Sequence, residues 1–312
     1  MSLFESDFDK EDIQTLSNKN QIVVSKKVKE IEKPKQVLPE YVPVDYRNRV
    51  SLVKKLNNIQ GYDDFTKELY PYSINFYDFE VFMCDWCVTI INPVRKEMTI
   101  IVNDEEELKR YYETSKNEIW CGYNSRTYDS TILKSILCDM NPKKVSDMMI
   151  VLEKKPWEIN RDFSKIQFYD FDIFDGMNSL KQLEAFMGND IKETEVDFNI
   201  NRQLIKGEIL QTIKYNKHDV EQTIEVFRRR KSVYDSQLAL IETFNMPFEL
   251  VSSTQAQLTA RILECERVEG REVEEFNFPI LPCLKLSKYK YVYDWFMNPS
   301  NRNYKSNYET EI

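Results

Sequence analysis

The sequence predicts an α/β fold: a mixed five-stranded sheet flanked by helices over about residues 71 to 235, followed by a mostly helical extension over 236 to 312. Three observations carry that expectation. Segments 73–82, 86–92 and 97–103 are rich in β-branched and aromatic residues and are separated by short polar turns, the pattern of an antiparallel meander. Strand-like and helix-like segments then alternate. Finally, residues 205–234 repeat apolar side chains at helical spacing, with Ile209, Ile213, Val220, Ile224 and Phe227 on one stripe.

Taken in order, residues 1–45 are polar and charge-dense, with K-K-V-K-E-I-E-K-P-K at 26–35 and prolines at 34, 39 and 43. So little apolar area cannot offset the entropy of ordering, which predicts a flexible arm. A lead-in of 46–70 follows. After the meander, Asn103 offers a helix cap before D-E-E-E-L-K-R-Y-Y-E-T, whose acidic first turn suits the helix dipole. A fourth strand is expected at 118–124, a helix at 129–140 and a fifth strand at 166–174. The segment S-L-K-Q-L-E-A-F-M-G reads as a short helix ending at Gly188.

Composition narrows the function classes. The 312 residues carry 43 Lys and Arg against 52 Asp and Glu, a formal charge of -9. That balance argues against a protein that coats nucleic acid by bulk electrostatics, since phosphate binding is built from Lys and Arg. A site filled with cations remains compatible with it, because bound ions reverse the local field. No apolar run approaches the roughly 20 residues of a membrane helix, and M-S-L-F-E-S-D-F-D-K lacks the features of a signal peptide. Six irregularly spaced cysteines do not form a disulfide framework. The expectation is a cytoplasmic protein without membrane partners.

Eleven residues, Y-D-F-E-V-F-M-C-D-W-C at 77–87, contain two candidate sites. Asp78 and Glu80 lie two apart on a strand and share a face, where paired carboxylates suit Mg²⁺ or Mn²⁺. Cys84 and Cys87 form a C-x-x-C across the predicted turn, without the helix start of a redox pair and without a second C-x-x-C to complete a zinc site. Idle or buried thiols are the better reading of that pair. Asp129 follows G-Y-N-S-R-T-Y at a strand-to-helix turn, from which a carboxylate can project toward the first strand. Tyr215 and Asp219 lie four apart and so share a helical face. Each acid alone has a plain structural explanation, as a solvated strand face, a helix-start acid or an amphipathic surface.

Their order is the informative feature. D-x-E on a first strand, N-x-x-x-Y-D after a fourth and Y-x-x-x-D on a late helix occur within one β-β-β-α-β-α frame, the order of a ribonuclease H-like core. The combination resembles the DEDDy proofreading exonucleases. More closely, Y-D-F-E, G-Y-N-S-R-T-Y-D and Y-N-K-H-D-V-E look like the three exonuclease motifs of family B DNA polymerases of the phage type. The resemblance covers about 71–235, and S-T-Q-A-Q-L-T-A-R-I-L at 253–263 resembles the segment joining exonuclease to polymerase.

The resemblance implies that Asp78, Glu80, Asp129 and Asp219 bind two divalent cations, with Tyr215 positioning the attacking water. It also implies that Asn124 and Tyr128 touch a single-stranded DNA 3′ end. Among nearby aromatics that could support unstacked bases, Phe79 is a candidate for which a core position is the better reading, and Tyr128 is the better stacking residue. His218 does not stand where the histidine variant of the class needs it and reads as a helix-surface residue. The D-x-x-S-L-Y-P, K-x-x-x-N-S-x-Y-G and D-T-D-S blocks of such polymerases are absent, so any polymerase would be a separate chain or another replisome component. The alternatives are a ribonuclease D-like enzyme acting on RNA, or a nucleic-acid or polymerase-binding module with little nuclease activity.

Overall fold

A computed structural model describes residues 38–39, 41, 45–56, 72–174, 176–189, 191, 196–198, 200–265 and 290–298. Most of the expected N-terminal arm, much of the lead-in and parts of the C-terminal extension lie outside them. The described residues form a mixed α/β structure with a six-stranded sheet. Its strands are β1 (Val50–Lys55), β2 (Ile74–Val81), β3 (Trp86–Asn92), β4 (Glu97–Val102), β5 (Ile119–Cys121) and β6 (Tyr169–Asp170). Their spatial order is β1-β4-β3-β2-β5-β6. Strands β1 to β4 pair antiparallel, while β5 runs parallel to both β2 and β6.

The meander occurs as expected, but the sheet has six strands instead of five. The added strand, β1, comes from the lead-in and closes the edge beside β4. Its sequence V-S-L-V-K-K exposes nearly every side chain, so it lacks the one-sided burial that makes a strand legible. Lys55 pairs with Glu97 directly across the ladder, and lysines on an edge oppose pairing with other chains. At the opposite edge, β6 spans two residues where nine were expected. Backbone bonds nevertheless continue the pairing, from Phe171 N to Trp120 O (2.7 Å) and Ile173 N to Gly122 O (3.2 Å).

The helices are α1 (Glu105–Ser115), α2 (Asp129–Leu137), α3 (Pro142–Ile150), α4 (Pro156–Ile159), α5 (Leu180–Met187), α6 (Lys206–Arg229), α7 (Lys231–Thr243), α8 (Gln255–Ile262) and α9 (Lys290–Met297). The cap of α1 is Asp104, whose side chain accepts from Glu107 N. Asn103, expected to be that cap, is instead buried, accepting from Trp86 N and donating to Asp85 Oδ1. Helix α2 ends three residues early, after which Asn141 caps α3 with Pro142 in its first turn; α3 and α4 have no counterpart in the sequence prediction. Helix α5 agrees with it, from a Ser179–Gln182 capping box to Gly188 in the left-handed region at φ 75°. The expected helix over 205–234 breaks at Arg230 into α6 and α7.

The chain divides into two compact units, Met1–Leu238 and Ala239–Ile312, and the whole sheet belongs to the first. The described part of the second unit is mainly helical. No described helix is long and apolar enough to cross a membrane.

Strand β2 is the centre of the sheet and is covered on both faces. Tyr77, Phe79 and Val81 join Trp120, Ile132, Leu133 and Val145 in one hydrophobic cluster. Residues of alternate parity point the other way, toward α6, where Phe76 meets Phe227 edge-to-face at 5.1 Å. The N-terminus of α6 is tied down by Asp85, whose Oδ2 accepts from Leu204 N at 2.7 Å. Asp78 and Glu80 lie on this second face, enclosed between the sheet and α6.

Candidate metal centre

Three carboxylates from two distant segments converge. Oxygens of Asp78 and Glu80, on β2, and of Asp219, on α6, all lie within 4.8 Å of one another. The pleat aims the first two acids at α6, and Asp219 sits on the buried stripe of that helix with Thr212, Asn216, Val220 and Thr223. Opposite them in the β2–β3 ladder stand Thr89 and Cys87.

Asp129, at the first turn of α2, reaches the same strand from the other side. Its Oδ1 accepts from Phe79 N at 3.0 Å, which fixes the carboxylate to the backbone between Asp78 and Glu80. Asp129 is outside the three-acid group, but the charge of Asp78 helps to raise its carboxyl.

Burial and mutual repulsion dominate the electrostatics. The carboxyls of Asp78, Glu80 and Asp129 are pushed well above the usual carboxylate range, first by burial and then by the neighbouring acids. Asp219 is also raised by burial, opposed by hydrogen bonds from Lys181 and Tyr215. Lys181 Nζ lies 2.5 Å from Asp219 Oδ1 and 4.8 Å from the centroid of the Tyr215 ring. Burial, and then Asp219 and Glu80, raise the Tyr215 phenol, so it remains a protonated donor.

Two supporting residues escaped the sequence reading. Asn216 Nδ2 donates to Asp78 Oδ2 at 2.7 Å and to the Asp78 carbonyl at 3.0 Å. Its signal was its place on the apolar stripe of α6, where a polar residue must find a partner. Lys181, on α5, gave no signal, because a lysine on a short amphipathic helix is ordinarily solvated.

The expected substrate residues are more scattered. Asn124 is exposed, with φ 60°, and its N–H donates to Asp172 Oδ1 at 2.9 Å. Tyr128 is partly buried against the hydrophobic cluster and its hydroxyl shares a hydrogen bond with Ser146 Oγ. Its phenol is raised first by burial, with the charges of Asp129, Glu80 and Asp78 adding to the effect. Phe79 is 4 % exposed and packs near Tyr77 and Trp86. That position corrects its candidacy as a stacking surface, since the strand turns it away from the acid face.

His218 also differs from expectation. It is buried, with Nε2 3.7 Å from Glu184 Oε1, because α5 packs over that side of α6. Cys84 and Cys87 are free thiols, and burial raises both, with Glu80 and Asp78 adding to the effect at Cys87. Neither is disposed to the thiolate form that binds metal. Cys283 lies outside the described residues.

The turn leading to Asp129 depends on a close approach at Gly122. A Cβ there would stand 2.4 Å from Ser125 Cβ and 3.3 Å from the Tyr77 carbonyl. Gly122→Ala is expected to destabilise the protein by about 1–3 kcal/mol, the usual cost of overpacking. Urea denaturation checks this, and an unchanged midpoint would show that the turn yields freely.

Carboxylates so arranged can hold divalent cations, which prefer hard oxygen ligands. In comparisons with known proteins, no family model matches the chain, and neither a curated protein nor a solved structure does.

Proposed function

We propose that the chain is a 3′→5′ exodeoxyribonuclease of the DEDDy class with a ribonuclease H-like core. It hydrolyses the last phosphodiester of a single-stranded DNA 3′ end and releases nucleoside 5′-monophosphates, as a proofreading activity for a DNA polymerase. The observation that carries this reading is the convergence of Asp78, Glu80 and Asp219 within 4.8 Å, with Asp129 bonded to the backbone between the first two. The succession of meander, helix, strand and helix is the element order that the reading requires.

The residues fit two hard cations, Mg²⁺ or Mn²⁺. Three acids displaced upward first by burial and then by one another's charge form a donor set that a cation completes. Asp78, Glu80, Asp129 and Asp219 would hold the ions, which supply Lewis-acid polarisation and a water of lowered pKa.

The chain's own groups do the rest. Asn216 holds Asp78 in one orientation, and Phe79 N does so for Asp129. Tyr215, protonated and hydrogen-bonded to Asp219, orients the attacking water. Asn124 and Tyr128 meet the terminal nucleotides. Tyr215→Phe is therefore expected to lower kcat about 10²-fold, within the range for positioned proton donors and acceptors, with metal affinity unchanged. Single-turnover cleavage and metal titration of the variant separate those two effects.

The direct experiment is digestion of matched 5′-labelled single-stranded DNA and RNA with Mg²⁺, Mn²⁺ or EDTA, using wild type and Asp219→Ala. The expected result is a metal-dependent ladder shortening from the 3′ end of DNA, absent in the variant. Preference for RNA would favour the ribonuclease D-like alternative. Absence of cleavage with every metal would overturn the reading in favour of a binding module.

A further inference from the structure

A second cluster adjoins the acid triad and has a different chemistry. Glu184 on α5 and His218 and Asp219 on α6 are all buried, and each offers one ligand atom within 4.8 Å of the others. Glu184 is 0 % exposed. Its Oε1 lies 3.3 Å from Lys181 Nζ and 3.7 Å from His218 Nε2. Its Oε2, on the same carboxyl carbon, is buried and has no hydrogen-bond partner. Buried carboxylate oxygens are normally satisfied by hydrogen bonds or by a cation, so this orphan oxygen points independently to a missing ligand.

We propose that Glu184, His218 and Asp219 form a site for a Zn²⁺-class ion, distinct from the Mg²⁺ or Mn²⁺ positions at Asp78 and Glu80. One imidazole and two carboxylates make a donor set of the zinc type, whereas an all-oxygen set suits Mg²⁺. Three protein ligands leave a fourth position open to water. The Lys181 ammonium stands within hydrogen-bonding range of both acids. It is the charge an ion would displace. The side chain of Lys181 is one-quarter exposed, so it can withdraw toward solvent.

Asp219 belongs to both groups, and this gives the second site its effect. The inference of inhibition rests on the nuclease reading: an ion shared with Glu184 and His218 draws Asp219 from Asp78 and Glu80 and lowers Mg²⁺-supported cleavage. The binding claim stands apart from that reading. It is tested without turnover.

The experiment is competition of the reduced protein with a chromophoric zinc indicator in millimolar Mg²⁺. It compares wild type, His218→Gln, Lys181→Met and the double variant Asp78→Asn with Glu80→Gln. Wild type is expected to take up one tightly held equivalent of Zn²⁺. His218→Gln weakens it at least about tenfold and Lys181→Met tightens it about tenfold, each a Kd change readable by titration. The double variant keeps zinc binding, at least as tight as in wild type, because Mg²⁺ no longer competes there for Asp219. Circular dichroism confirms folding of each variant. Loss of zinc binding in the double variant together with its retention in His218→Gln would overturn the site. So would failure of the wild type to bind. A wild type that binds zinc as described but cleaves no nucleic acid would sink the nuclease reading and leave the zinc site standing.

Discussion

Replacing Asp78 with asparagine and Glu80 with glutamine is expected to lower metal-dependent cleavage by at least about 10³-fold, equivalent to roughly 4 kcal/mol of transition-state stabilisation at 1.36 kcal/mol per tenfold. The same variant should be more stable than wild type in EDTA. Both carboxyls are raised well above their ordinary values by burial and by each other's neighbours. An acid whose folded pKa exceeds its unfolded pKa contributes most stability below the unfolded value, and loses that contribution as pH rises through the folded one. Neutral amides carry no such loss. The gain should therefore be small near pH 4 and grow toward neutrality, reaching about 1–4 kcal/mol, the scale seen when buried ion pairs give way to uncharged apolar side chains. Cleavage assays and denaturation in EDTA at both pH values check the two halves. Unchanged cleavage would refute the site, and a variant less stable than wild type at neutral pH would refute the electrostatic account of it.

Such a gain in stability at the expense of activity is what a site built for cations predicts. It also clarifies which features the sequence could display. Asp78 and Glu80 were legible because alternation on a strand brings them to one face whatever surrounds them. Tyr215 and Asp219 were legible through the four-residue helical period. The end of α5 was readable because Gly188 takes the left-handed conformation that stops a helix, a preference set by the residue itself. Local geometry sufficed in each case.

Features that depend on a distant partner were not readable. Strand β1 exposes most of its side chains and owes its existence to the edge of β4, so it has no buried face to reveal it. His218 is covered only because α5 packs across α6, and Lys181 matters only because Asp219 is brought beside it. Asn103 shows the competition directly. Its residue type suits a cap, but the Trp86 amide, seventeen positions away, claims its oxygen, and Asp104 caps the helix instead.

Asp170→Asn is expected to make stability much less dependent on pH. Asp170 is buried beneath the turn that carries Asp129, accepting from Ser125 Oγ at 2.9 Å. Burial, and then the charge of Asp172, push its carboxyl up to about 7, against the pull of Ser125, Arg126 and Lys134. The folded value lies above the unfolded one, so the contribution to stability is fully present below about pH 4 and declines as pH rises toward 7. Above that, the accumulated loss is on the order of 4 kcal/mol, about three pKa units at 1.36 kcal/mol each. Asparagine keeps an oxygen that can accept from Ser125 and removes the charge. Denaturant titrations in EDTA at pH 5, 6, 7 and 8 should show wild type losing stability relative to the variant across that range. Asp129, which the Asp170 charge also pushes upward, ionises more readily in the variant and adds to the difference in the same direction. Parallel curves would mean that Asp170 is ionised throughout, and that Lys134 and Arg126 neutralise it more completely than their place around the carboxylate implies.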